Sequence, residues 1–160
     1  MKKYSQIVQG VLEKADIILI VLDARRPEAS SNQDIVRRIG ELGKKHIFVI
    51  NKVDLLTREE QVRLDIPNSV EVCAQKHIGT IRLYRKIMEL AKGEKSIVGV
   101  VGYPNTGKST LINALKGRHS APTSSVSGYT KGVQKIAVSD KLMLIDTPGV
   151  IEEGYDPDSL

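Results

Sequence analysis

The chain has no tryptophan, a single phenylalanine (Phe48) and a single cysteine (Cys73). So few aromatic rings leave no stacking cluster of the kind that grips unpaired bases. One cysteine excludes an internal disulfide and fits a reducing compartment. No apolar run approaches the roughly 20 residues needed to cross a bilayer. The start, Met1-Lys2-Lys3-Tyr4-Ser5, runs into the polar Gln6 and Gln9 where a signal peptide needs an apolar block. The expectation is a cytoplasmic protein with no membrane partner. Arg/Lys-rich tails, internal repeats and low-complexity tracts are missing as well.

What is present describes an ordinary globular protein: 160 residues, 41% hydrophobic and 27% charged. That length suits one domain spanning 1–160 with a core large enough to need no disulfide or metal. Nothing in the sequence sets the oligomeric state, and a monomer is the expectation. The net charge of +5 suits a polyanionic partner such as RNA. Charge alone leaves that partner open, because nucleotide pockets are themselves basic.

Short Val/Ile-rich runs at 17–22, 47–50, 70–73, 97–101 and 142–145 read as buried strands, with 136–138 a weaker sixth. Helical spacing fills the gaps: Ile35, Val36, Ile39 and Leu42 before Gly43; Tyr84, Ile87, Met88 and Ala91 before Gly93; Leu111, Ile112 and Leu115 before Gly117. Strand and helix alternate, which predicts an α/β fold: a mostly parallel six-stranded sheet between two helical layers. A hairpin around Ser139-Asp140-Lys141 makes one edge strand antiparallel. The segment 120–131, crowded with Ser, Thr, Gly and Pro, is long for a connection and reads as a functional loop.

Three motifs carry chemistry. Gly102-Tyr103-Pro104-Asn105-Thr106-Gly107-Lys108-Ser109 has the phosphate-binding P-loop pattern, between a predicted strand and a predicted helix. Its glycines let backbone N–H groups face the phosphates, so Asn105, Thr106, Gly107, Lys108, Ser109 and Thr110 are expected to line them. Lys108 reaches the terminal phosphates and Ser109 can hold Mg²⁺. Asp146-Thr147-Pro148-Gly149 follows an apolar strand, as a Mg²⁺-holding carboxylate does, with the Gly149 N–H available to a γ-phosphate. Asn51-Lys52-Val53-Asp54 closes another strand, where α/β folds place ligands. A carboxylate at Asp54 can accept from N1–H and the exocyclic amine of guanine, a donor pair adenine lacks.

Together these elements resemble the Ras-like GTPases, in which the Asn-Lys-x-Asp element comes last of the three. Here it comes first. That rotated order, with Asp23-Ala24-Arg25-Arg26-Pro27 after the first strand, is similar to the circularly permuted GTPases of the YlqF/RbgA and YawG type. Rotation is physically permissible where old termini lie close and an exposed connection can be cut; the joint here would be 92–96.

The resemblance implies a circularly permuted P-loop G domain that binds GTP and GDP with Mg²⁺ and acts with a ribosomal subunit or rRNA. It makes Gly128-Tyr129-Thr130-Lys131-Gly132 the first switch, with Thr130 on the metal beside Ser109 and Asp146. It puts Cys73-Ala74-Gln75 in the place of a Ser-Ala-Lys element whose backbone contacts the guanine oxygen. Catalysis would rest on Lys108, Thr130 and Gly149. Val150 stands where Ras-like enzymes have the glutamine that orients water, and residues 1–10 lack a histidine that some relatives carry. Of His46, His77 and His119, only His119 lies near the first switch in sequence.

Asn105 is of the kind that places K⁺ beside the phosphates, or else only stabilises the loop. The implied activity is slow GTP hydrolysis helped by K⁺ or a partner, in a molecular switch. Against it stands a GTP-binding interaction module without turnover of its own. An ATP-using P-loop enzyme is disfavoured by the Asn-Lys-Val-Asp element.

Overall fold

The computed structural model describes residues 4–119 and 133–146. Within them run α1 (Tyr4–Lys14), β1 (Ile17–Asp23), α2 (Gln33–Leu42), β2 (Lys45–Asn51), α3 (Arg58–Arg63), β3 (Ser69–Glu71), α4 (Thr80–Ala91), β4 (Ser96–Val101), α5 (Lys108–His119), β5 (Gln134–Ala137) and β6 (Leu142–Asp146). The strands form one six-stranded sheet in the order β3-β2-β1-β4-β6-β5. Every neighbouring pair is parallel except β5 with β6.

The central strand β1, Ile-Ile-Leu-Ile-Val-Leu-Asp, is buried along its whole length, as a parallel strand covered on both faces must be. Alternation divides it between two cores. Ile17, Leu19 and Val21 pack with Leu83 and Ile87 of α4 and Leu111 and Leu115 of α5. Ile18, Ile20 and Leu22 face Val8, Val11 and Leu12 of α1 and Ile35 and Ile39 of α2. The predicted three-layer α/β arrangement with one antiparallel edge strand is therefore the observed one.

Local chemistry explains most boundaries. Asn32 caps α2 by accepting from the Asp34 and Ile35 amides, and Gly43, at φ 64°, ends it in the left-handed conformation. The joint between α4 and β4 turns through Lys92 and Gly93, both at positive φ, and Lys141 Nζ donates to Gly93 O at 3.2 Å.

Two helices go beyond the sequence reading. Val11 of helix α1 and Ala15 just after it pack so tightly on β4 that a Cβ at Gly99 would come within 2.9 Å of Val11 Cγ1. Helix α3 has Val62 almost fully exposed and is held instead by a reciprocal capping box between Thr57 and Glu60. The strand predicted at 70–73 is shorter and starts earlier, because Cys73 leaves it to pair with Ile78.

Candidate functional site

Parallel strands deliver their C-terminal ends to one edge of the sheet, and the loops after β1, β2, β3 and β4 gather there beside the end of β6. After β4 comes a single 3₁₀ turn, Pro104–Thr106, then Gly107 at φ 84°, then the first turn of α5. Thr106 is buried and its hydroxyl donates to Tyr103 O at 2.7 Å, closing the loop on itself. Gly107 is required twice over. Its φ is left-handed, and an added Cβ would lie 2.4 Å from Asn51 Nδ2. A cradle with no room for one methyl group, opening at a helix N-terminus, fits a phosphate chain.

Asn51 ties this loop to two others. Its Nδ2 donates to Thr106 O at 2.9 Å, and its Oδ1 accepts from the Ala74 amide at 3.0 Å. One buried side chain thus joins the end of β2, the P-loop and the loop after β3. Lys52, at φ 69°, crosses the P-loop and donates from Nζ to Asn105 O at 2.6 Å.

Asp54, two residues beyond Lys52, pairs with Lys76 Nζ at 3.3 Å. The Cys73 thiol beside it and then the Lys76 ammonium hold the Asp54 carboxyl below its usual range. Burial, and then Asp54 itself, push the Cys73 thiol up, so it stays a protonated donor. An ionised carboxylate held at the rim of a crevice is what a pair of purine N–H donors requires.

On the phosphate side, Lys108 Nζ donates to Asp146 Oδ1 at 2.5 Å, both side chains being buried. Ser109 and Asp146 line a common groove with Ile112, Asn113, Lys116, Gln134 and Ile136. A hydroxyl and a carboxylate form an oxygen donor set that suits Mg²⁺. Among the described residues no group of three or more His, Cys, Asp or Glu could hold a metal. Mg²⁺ usually keeps several waters and takes phosphate oxygens beside one or two protein oxygens.

The structure thus brings together Asn51, Lys52, Asp54, Cys73, Ala74, Asn105, Thr106, Gly107 and Lys108, with Ser109 and Thr110 opening α5. The Ala74 amide is spent on Asn51. Thr130, Gly149 and Val150 lie outside the described residues, as do the segment 120–132 and the side chain of His119. His46 stacks edge-on against Phe48 in β2, and His77 sits in the turn after the loop that carries Cys73.

Two participants were missed as site residues in the sequence. Lys76 pairs with Asp54 and so reaches the Asn-Lys-Val-Asp loop. Asp23 closes β1 with a buried carboxylate that accepts from Arg25 Nε at 3.1 Å and NH2 at 2.8 Å. Chiefly through that contact its pKa is lowered to about 2. A carboxylate ending a buried strand was the available signal.

Comparison with known proteins agrees with this geometry. Residues 97–159 match the family model described as 50S ribosome-binding GTPase. A GTP-binding protein of Methanocaldococcus jannaschii is 43% identical over 153 residues, covering 92% of this chain and 41% of that protein. Nucleolar GTP-binding protein 2 of Neurospora crassa is 36% identical over 155 residues, covering 88% of this chain and 25% of its own length. The chain therefore spans well under half of these relatives. The crystal structure of GNP-bound YlqF from T. maritima superposes with a TM-score of 0.56 at 23% identity, covering 92% of this chain and 57% of that one. It carries the same fold.

Proposed function

Since the chain belongs to the circularly permuted, YlqF-like GTPases, we propose that it binds GTP and GDP at the edge formed by the loops after β2, β3 and β4. In this reading it hydrolyses GTP slowly and acts as a molecular switch on a ribosomal particle. The observation that carries the reading is the Asn51 side chain, bonded at once to the P-loop carbonyl of Thr106 and to the Ala74 amide of the base-side loop. A ligand with a base at one end and phosphates at the other would use both of the walls that Asn51 joins.

In the bound state, amides of residues 105–110 wrap the phosphates and Lys108 turns from Asp146 to them. Asp54 takes the guanine N–H donors, Ser109, Thr130 and Asp146 would hold Mg²⁺, and the Gly149 amide donates to the γ-phosphate. Bound Mg²⁺ neutralises charge between the phosphates. We assign no water-activating side chain, because Val150 is aliphatic. Turnover is accordingly slow and rises with K⁺, for which Asn105 is the proposed protein ligand. The described and matched segments are proposed to form a single domain over 1–160, monomeric in solution.

The site of action follows the particle: the cytoplasm in a cell without a nucleus, the nucleolus where assembly occurs there, in keeping with the Neurospora relative's name. Among the described residues no helix is long and apolar enough to cross a membrane. Val150 also favours a second reading, a GTP-binding module that recruits partners and never turns over alone.

Single-turnover hydrolysis measured with and without KCl and ribosomal subunits decides between them. The switch reading expects slow hydrolysis raised by at least one of the additions, with subunits co-sedimenting in the GTP-analogue state. No stimulation by any addition leaves the module, and tighter ATP than GTP binding refutes both.

A further inference from the structure

The loop after β1 has no part in the binding scheme above, yet it is closely bonded within itself. The Asp23 amide donates to Ser30 Oγ at 2.9 Å, Ser30 Oγ donates to Arg26 O at 2.6 Å, and the Arg26 amide donates to Asp23 O at 2.9 Å. The Ala24 amide continues the sheet by donating to Asn51 O at 2.8 Å. This frame fixes the Asp23 carboxylate. Arg25 holds it from one side through its backbone amide at 2.9 Å and its guanidinium. On the other side Asp23 Oδ2 lies 3.5 Å from Lys52 Nζ.

Lys52 is the far end of that chain of contacts. Its Nζ donates to Asn105 O, and its stem runs beside the P-loop, since a Cβ on Gly107 would be 3.6 Å from Lys52 Cε. A lysine side chain forfeits rotamer freedom when fixed in one conformation. A single carbonyl partner at a partly exposed position offsets little of that, whereas a carbonyl and a buried carboxylate together orient the ammonium.

We propose that Asp23 is a positioning residue for nucleotide binding: held by Arg25, it keeps Lys52 strapped across the P-loop, so that the Asp-Ala-Arg motif tensions the wall on which the phosphates rest. Asp23 touches no part of the ligand and acts through Lys52 alone. The inference rests on the reading of this edge as the guanine-nucleotide site, and names the role there of a motif otherwise unused.

The test is a double-mutant cycle in GDP and GTP affinity on the full chain. Asp23→Asn and Lys52→Ala are each expected to weaken both nucleotides about tenfold, or roughly 1.4 kcal/mol. Asp23→Asn introduced into the Lys52→Ala background is expected to add nothing, a coupling that a merely structural carboxylate would not show. Full tenfold weakening in that background, or unchanged affinity in the single variant, overturns the proposal.

Should Asp23→Asn fail to fold, the exposed Arg25→Ala carries the same cycle. A few-fold loss that vanishes beside Lys52→Ala supports the strap, and a loss that persists refutes it. A wild-type chain without affinity for GDP overturns the functional reading itself, and this inference with it.

Discussion

Lys108 and Asp146, 38 residues apart, form an ion pair at 2.5 Å in which each side chain is only 3% exposed. They meet because β4 and β6 are hydrogen-bonded neighbours: the P-loop lysine follows the end of one and the carboxylate closes the other. Each charge is tolerable there only with its partner, since an unpaired buried ion costs several kcal/mol. Lys108→Met, which keeps the stem and removes the charge, should lower the stability of the nucleotide-free protein by about 3 kcal/mol in urea unfolding, and abolish GDP binding. Adding Asp146→Asn should recover part of that stability. A single variant costing under about 1 kcal/mol would mean that water already solvates the pair.

Gly107 is the position where one methyl group should do most harm to binding. Alanine there meets a left-handed φ of 84° and a Cβ 2.4 Å from Asn51 Nδ2, so Asn51 must release Thr106 O. Gly107→Ala is expected to weaken GDP at least a hundredfold, with stability reduced by about 1–3 kcal/mol. Calorimetric titration beside thermal unfolding separates the two effects. Binding within tenfold of wild type would show that Asn51 is not the tie between the walls.

Periodicity made the strands and helices α2, α4 and α5 readable, because β1 is apolar throughout and α4 repeats Leu83, Ile87 and Ala91 along one face. It failed at α3, whose stability lies in the Thr57–Glu60 box rather than in burial. At α1 the tight fit against Gly99, a tertiary contact, was not legible in the chain. Within the site, the motifs marked the P-loop and the Asn-Lys-Val-Asp loop. The side-chain ties among them, Asn51 to Ala74 and Lys76 to Asp54, depend on how loops from different strands approach, which spacing along the chain does not encode.

Acid should expose the contribution of Asp23. Its carboxyl titrates at about 2 in the folded chain, against an ordinary 3.8, so folding favours the ionised form. The stabilisation is complete above pH 4 and is lost as pH falls through the window from about 4 to 2. The shift corresponds to about 2.4 kcal/mol at most, and less in practice because Arg25 is half exposed. Wild type and Asp23→Asn should accordingly differ in unfolding free energy at pH 6 and converge toward pH 2. A difference that is flat over that range would assign the effect to packing.

Base choice offers a test that depends on a single atom exchange. The Asp54 carboxylate accepts two N–H donors in the proposed guanine contact, and the Cys73 thiol and Lys76 keep it ionised well into mild acid. GDP affinity should therefore stay level between pH 7 and pH 5. Asp54→Asn replaces one accepting oxygen with a donating NH2, which leaves the guanine 2-amine facing another donor. Xanthine carries a carbonyl oxygen at that position, which the new amide can reach. The variant should lose GDP by on the order of 10³-fold or more, as sites built around a buried hydrogen-bond pair do when mismatched, and gain xanthosine diphosphate. Competition titration of both nucleotides against both proteins reads the exchange directly. Equal weakening of the two diphosphates by Asp54→Asn would place the base elsewhere.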